Sequence, residues 1–122
     1  MKFLLDSVIL IDHFNQIQQS TEYLLKNRQE CAISVITRAE VLTGFKIPYP
    51  EATQALLDSF PLLEFTAANV DLVARLRQEY KWKLPDAIQA AIAKYHNLKL
   101  ITRNTKDFGA AHADFVVIPY HL

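Results

Sequence analysis

Apolar residues along this chain fall in short runs whose spacing switches between continuous tetrads and helical periodicity. Lys2 to Leu5 predicts a short buried strand, and Val8 to Phe14 a helix entered through Asp6 or Ser7. Ser20 to Arg28 fits a second helix, Cys31 to Ser34 a second strand, and Thr37 to Lys46 a helix stopped near Pro48 and Pro50. Glu51 to Phe60 adds another helix and Leu62 to Phe65 a third strand. Ala67 to Tyr80 and Pro85 to Asn97 are long helices, the second with proline in its first turn. Leu98 to Thr102 and Phe115 to Ile118 complete five strands.

Strands this short and this apolar suit a parallel sheet covered on both faces. Their alternation with helices predicts an α/β three-layer sandwich in one domain, residues 1–122, with a parallel five-stranded sheet and helices on both faces; the strand order expected for such a sheet here is 3-2-1-4-5.

Composition narrows the chemistry. Hydrophobic residues make up 51% of the 122 and charged ones 21%, a globular balance. Thirteen Lys and Arg against thirteen Asp and Glu leave no global positive field, so any nucleic-acid contact must use local patches. Arg75 to Lys83 and Lys94 to Lys106 are two such patches, and each serves equally well as a solvated helix face. Cys31 is the only cysteine, which excludes an internal disulfide and a thiolate-rich metal site. With Gly44 and Gly109 the only glycines, neither a phosphate-cradling loop nor a dinucleotide fingerprint can be written. The glycine-flanked serine of a nucleophile elbow is missing, and His13, His96, His112 and His121 lack zinc-protease spacing. Asp6 and Asp12 interrupt the apolar amino terminus, and the longest apolar runs, such as Val8 to Ile11, are far too short to span a bilayer. The expectation is a cytoplasmic protein without membrane contact.

Four acids stand out by position. Asp6 follows a strand and precedes a helix, where aspartate is a favoured N-cap. Glu40 lies three residues after Thr37, in the Thr-x-x-Glu pattern of a capping box. Asp86 sits in a first helical turn, where a carboxylate gains from the helix dipole. Asp107 lies three residues after Asn104, where it could complete another cap. Taken singly, each acid has a structural explanation. In a parallel α/β sheet, however, turns from strand to helix emerge at the carboxyl edge, and that brings Asp6, Glu40 and Asp107 together. Asp86 needs the loop before its helix to come back over the same edge. The strand order reverses between the first and fourth strands, and Asp6 and Asp107 flank that crevice. Converging carboxylates repel one another unless a cation compensates, and an all-oxygen donor set favours Mg2+ or Mn2+ over zinc or copper. The chemistry such a site offers is metal-assisted phosphodiester hydrolysis.

The segment Leu4-Leu5-Asp6-Ser7-Val8-Ile9-Leu10-Ile11 resembles the opening motif of PIN-domain ribonucleases of the VapC toxin type. Ile33 to Glu40, Leu84 to Ala91 and Leu100 to Phe108 resemble that family's second, third and fourth motifs, in family order across almost the whole chain. The resemblance implies a PIN-like fold and a metal site of Asp6, Glu40 and Asp86, with Asp107 completing the group. It aligns Thr102 and Asn104 with polar positions that hold a carboxylate or a water of the ion. Ser7 keeps a hydroxyl where many relatives carry threonine. Asn104 replaces a further acid found in some relatives, which leaves one or two ions open. It also implies an RNA substrate, a homodimer and a cognate VapB-like antitoxin. Phe45, Tyr49 and Phe60, on the helical pair around Pro48-Tyr49-Pro50, are candidate partner contacts; they and Leu56 and Leu57 serve equally as core. Arg38, Arg103 and Lys106 are candidate phosphate contacts. The competing reading is a catalytically silent PIN-fold module that binds RNA or protein.

Overall fold

A computed structural model of the chain describes residues 1–108 and 113–122, the side chains of Thr105 and Asp107 excepted. Five strands form one sheet: β1 (Phe3–Leu5), β2 (Cys31–Ser34), β3 (Leu62–Leu63), β4 (Lys99–Ile101) and β5 (Val116–Val117). Their order is β3-β2-β1-β4-β5, and every neighbouring pair is parallel. The order anticipated from the sequence is the order observed. Between the strands lie helices α1 (Ser7–Phe14), α2 (Gln18–Asn27), α3 (Val35–Thr43), α4 (Glu51–Asp58), α5 (Val70–Tyr80), α6 (Leu84–Tyr95) and the short α7 (Thr105–Phe108).

Side chains alternate across each strand, and the two faces of the sheet feed separate cores. Leu4, Ala32 and Leu100 point to one face, where they pack with Leu76 of α5, Ala90 and Ile92 of α6, and Trp82. Leu5, Cys31, Ile33 and Ile101 point to the other, against Ile9, Leu10, Leu24, Val41, Leu57 and Phe60. Burial on both faces explains why the strands read as continuous apolar runs. Of the two roles open to Phe60 and Leu57, partner contact or core, their burial selects the core. Phe45 is half-buried and meets Phe14 edge to face, ring centroids 5.3 Å apart.

The helix expected from Thr37 begins at Val35, because Ser34 is its N-cap: the Thr37 N–H donates to Ser34 Oγ at 3.1 Å. The Thr37 hydroxyl donates instead to the Leu5 carbonyl of β1 at 3.0 Å. The Thr37–Glu40 capping box therefore does not form, and Glu40 stands in the body of α3.

Among the described residues no helix is long and apolar enough to cross a membrane.

Candidate metal centre at the carboxyl edge of the sheet

Each acid reaches the site through a different element. Asp6 ends β1 and caps α1, accepting the Ser7 N–H at 2.9 Å. Glu40 projects from α3. Asp86 is the third residue of α6, after Leu84 and Pro85. The carboxyl end of α6 turns directly into β4, so the helix runs against the strands and starts at their carboxyl edge. This supplies the return over the edge that the sequence left to the loop. The result is a pocket of about 240 Å³ whose lining includes Asp6, Glu40 and Asp86, with Ser7, Lys83, Gln89 and Asn104 around them.

Asp6 is the most deeply set of the three, at 8% exposure. Its Oδ2 accepts the hydroxyl of the fully buried Thr102 at 2.7 Å, and the Thr102 oxygen in turn accepts the Asn104 N–H at 3.0 Å. Thr102 thus ties the loop after β4 to the acid that ends β1. Glu40 is exposed as a residue, but its carboxyl turns toward Ser7 and Asp6. Partial burial of that carboxyl and the Asp6 charge raise its pKa above the ordinary carboxylate value, and the Ser7 hydroxyl offsets part of the rise. Two carboxylates that feel each other in this way are a donor set a divalent cation would relieve.

Asp107 lies in α7, but its side chain is outside the described residues, so only its backbone is placed beyond β4. Among the described residues no three acidic, histidine or cysteine side chains gather closely enough to enclose an ion unaided. Oxygen donors on an open pocket nevertheless fit magnesium or manganese, since magnesium keeps several waters and needs only one or two carboxylates.

Sequence reasoning passed over Gln89, which is 2% exposed beneath the pocket. Its Oε1 accepts the Ser34 hydroxyl, and its Nε2 donates to Thr37 Oγ1 and, at 3.4 Å, to Asp6 Oδ1. Gln89 therefore joins α6, the end of β2, α3 and Asp6. The signal was available: it is the lone polar residue in the run Ala87 to Ala93, three positions after Asp86 and on the same helix face.

Two of the candidate phosphate contacts are otherwise engaged. Arg103 grips Asp12 with both arms of its guanidinium, Nε to Oδ2 at 2.6 Å and the terminal nitrogen to Oδ1 at 2.8 Å. The Tyr120 hydroxyl completes this cluster by donating to Asp12 at 2.9 Å. Arg38 pairs with Asp58 at 2.8 Å. Lys106 is exposed.

Comparison with known proteins adds a family to this geometry. The PIN domain family matches residues 3–113. A toxin–antitoxin complex from Klebsiella pneumoniae contains a chain 40% identical to this one, with a TM-score of 0.89 over 99% of this chain and 100% of that one. A chain of FitAcB from Neisseria gonorrhoeae is 26% identical, with a TM-score of 0.77 over 98% of this chain and 99% of that one. DNA-bound VapBC from Salmonella typhimurium, 20% identical, shares the fold at a TM-score of 0.75 over 96% of this chain and 97% of that one. A search of curated proteins gave no match.

Proposed function

The chain belongs to the PIN-domain family, and from that premise we propose that it is a metal-dependent endoribonuclease acting as the toxin of a toxin–antitoxin pair. The observation that carries the reading is the meeting of Asp6, Glu40 and Asp86, remote in sequence, on one pocket at the edge where α/β sheets bind ligands. Carboxylates of this set, completed by waters, would hold a Mg2+ or Mn2+ ion, and Asp107 is assigned to the group on its motif position. Such an ion supplies Lewis acidity toward a phosphodiester and lowers the pKa of the attacking water. Asp6 is held in place by Thr102, Ser7 and Gln89, so its carboxylate presents a fixed face to the pocket. Glu40, whose carboxyl is drawn toward Asp6 and Ser7, faces the same position and would share the ion's charge with Asp6.

An antitoxin partner is supported by a second groove of about 230 Å³ between α1 and α3, lined by Ile11, Phe14, Val41 and Phe45 and by Glu40 itself. A protein segment seated on those apolar side chains meets the acid pocket at Glu40 and occludes it. Homodimerisation belongs to the same reading and is measured by sedimentation.

The test is cleavage of cellular RNA by the purified chain with magnesium or manganese, with the ends mapped beside Asp6→Asn and Asp86→Asn. Both substitutions are expected to abolish cleavage, as is a chelator. Full activity in both variants would show that the acids are not the site.

A further inference from the structure

The connection between α5 and α6 is three residues long, Lys81-Trp82-Lys83, and its middle residue is an anchor. Trp82 is 4% exposed. Its ring stacks on Tyr80 at 4.3 Å and meets Phe108 edge to face at 5.1 Å, while its indole N–H donates to the Phe108 carbonyl at 3.3 Å. With Trp82 fixed, the two flanking lysines are carried to different places. Lys83 lines the acid pocket. Lys81 lines a neighbouring surface groove of about 500 Å³ together with Ala74, Arg77, Gln78 and Trp82. The linings of the two pockets meet along the chain at the Trp82–Lys83 peptide bond.

That second groove has a definite electrostatic character. Its lining holds two cations and, among the described residues, no acid. Arg77 is oriented rather than loose, because its Nε donates to the Trp82 carbonyl at 3.3 Å. Lys81 adopts a left-handed backbone, φ 62° and ψ 27°, as the residue that ends α5. Glycine is the usual occupant of such a position, since a Cβ is disfavoured there. A lysine here accepts a backbone cost that glycine avoids, and its ammonium is what the position gains. In a chain of zero net charge, a cationic groove next to an acid pocket is a local feature with no global field behind it.

We propose that the groove of Arg77, Gln78 and Lys81 is a phosphate-tracking surface that carries single-stranded RNA away from the acid pocket, with Lys83 at the junction. The choice of RNA rests on the nuclease reading above. A strand whose scissile phosphate sits over Asp6 and Asp86 passes Lys83 and lays its next phosphates on Lys81 and Arg77. Contacts of this kind read backbone and not base identity, so they set affinity and the length of RNA engaged.

The experiment is a salt titration of binding, by fluorescence anisotropy, of the full chain to a labelled single-stranded oligoribonucleotide in chelator, so that no cleavage occurs. Each phosphate contact contributes about 0.7 to the slope of log affinity against log salt for a single strand. Lys81→Gly is expected to bind more weakly and to lower the slope by about 0.7, so that raising salt from 50 to 200 mM costs it about threefold less than wild type. It relieves the left-handed backbone, so its thermal stability is expected to equal or exceed that of wild type, and weaker binding cannot be blamed on misfolding. Gln78→Lys, on an exposed helix face, is expected to act in the opposite sense, with a steeper slope and tighter binding.

Equal slopes in all three proteins overturn the proposal. So does a change confined to affinity for a protein partner, which would make the groove a protein contact. The two readings separate cleanly. Cleavage with unchanged slopes removes only the tracking surface, whereas the expected slopes without magnesium-dependent cleavage remove only the nuclease.

Discussion

Gln89→Leu is the sharpest test of how the floor of the acid pocket is built. Leucine keeps the approximate volume of the side chain and removes its amide. Each polar atom around it then has a different fate. The Thr37 hydroxyl still donates to the Leu5 carbonyl, and Asp6 Oδ1 still accepts the Ser7 N–H. The Gln89–Asp6 contact at 3.4 Å is at the long limit of a hydrogen bond, so its loss contributes little. The Ser34 hydroxyl, fully buried, loses its acceptor outright. An orphaned buried donor costs about 1–3 kcal/mol, and that is the destabilisation expected. At about 3–6 °C per kcal/mol for a domain of this size, the melting temperature falls by roughly 3–18 °C.

A double-mutant cycle isolates the cause. Ser34→Ala alone loses the cap on α3, about 0.5–2 kcal/mol, and leaves Gln89 Oε1 without its donor. In the double variant neither side is orphaned, so its total falls short of the sum of the singles by about 0.5–3 kcal/mol. Urea denaturation of the four proteins measures the term. Additivity within about 0.3–0.5 kcal/mol would refute the reasoning, because it would mean that the Ser34–Gln89 bond is not an energetic unit.

Three further outcomes follow from the charges. Glu40 has a raised pKa when folded, so its carboxyl favours folding below the ordinary glutamate value and opposes it as pH rises through the folded one; in chelator, stability should decline with pH across that window. Glu40→Gln should remove the decline, seen as a flatter plot of melting temperature against pH, although the exposure of the residue keeps the effect small. Asp12 behaves in the opposite sense: burial acts to raise its pKa, but the Arg103 and Tyr120 bonds outweigh burial and lower it, so its stabilisation is present above the usual aspartate value and is lost as pH falls through the folded one. Arg103→Gln should lower stability at neutral pH and shorten the acid limb, read by circular dichroism from neutral pH downward. Asp6→Asn should not stabilise the chain in chelator despite the loss of a charge, because its Oδ2 now accepts the buried Thr102 hydroxyl; a rise in melting temperature would show that repulsion among the acids outweighs these donors.

The strands and the helices between them could be read from the sequence because they rest on local pattern: apolar tetrads, caps and a proline in a first turn; the PIN-like arrangement and the grouping of the acids leaned on the order of the motifs along the chain. What escaped rests on pairs far apart. Arg103 and Asp12 are separated by 91 positions, and Gln89 and Ser34 by 55, so no local spacing marks either pair. Arg103 read as a phosphate ligand because its charge was visible and its partner was not. The Thr37–Glu40 capping box failed for a related reason, since Ser34 offered an earlier cap and the Leu5 carbonyl across the sheet claimed the Thr37 hydroxyl. The short helix α7 carried no periodicity long enough to register. Asp86 is instructive in the other direction, because the antiparallel run of α6 supplies geometry that the sequence argument lacked.

The bond from Thr102 to Asp6 spans 96 residues and joins the loop after β4 to the strand that is made first. At ribosomal speeds of about 5–20 residues per second, roughly 5–20 s separate the synthesis of those two residues. Until then β1 waits without the neighbour that covers one of its two edges, and Asp6 waits without the hydroxyl that orients it. A nascent chain therefore carries its first acid long before it carries a finished pocket, and the delay is written into the order of the strands.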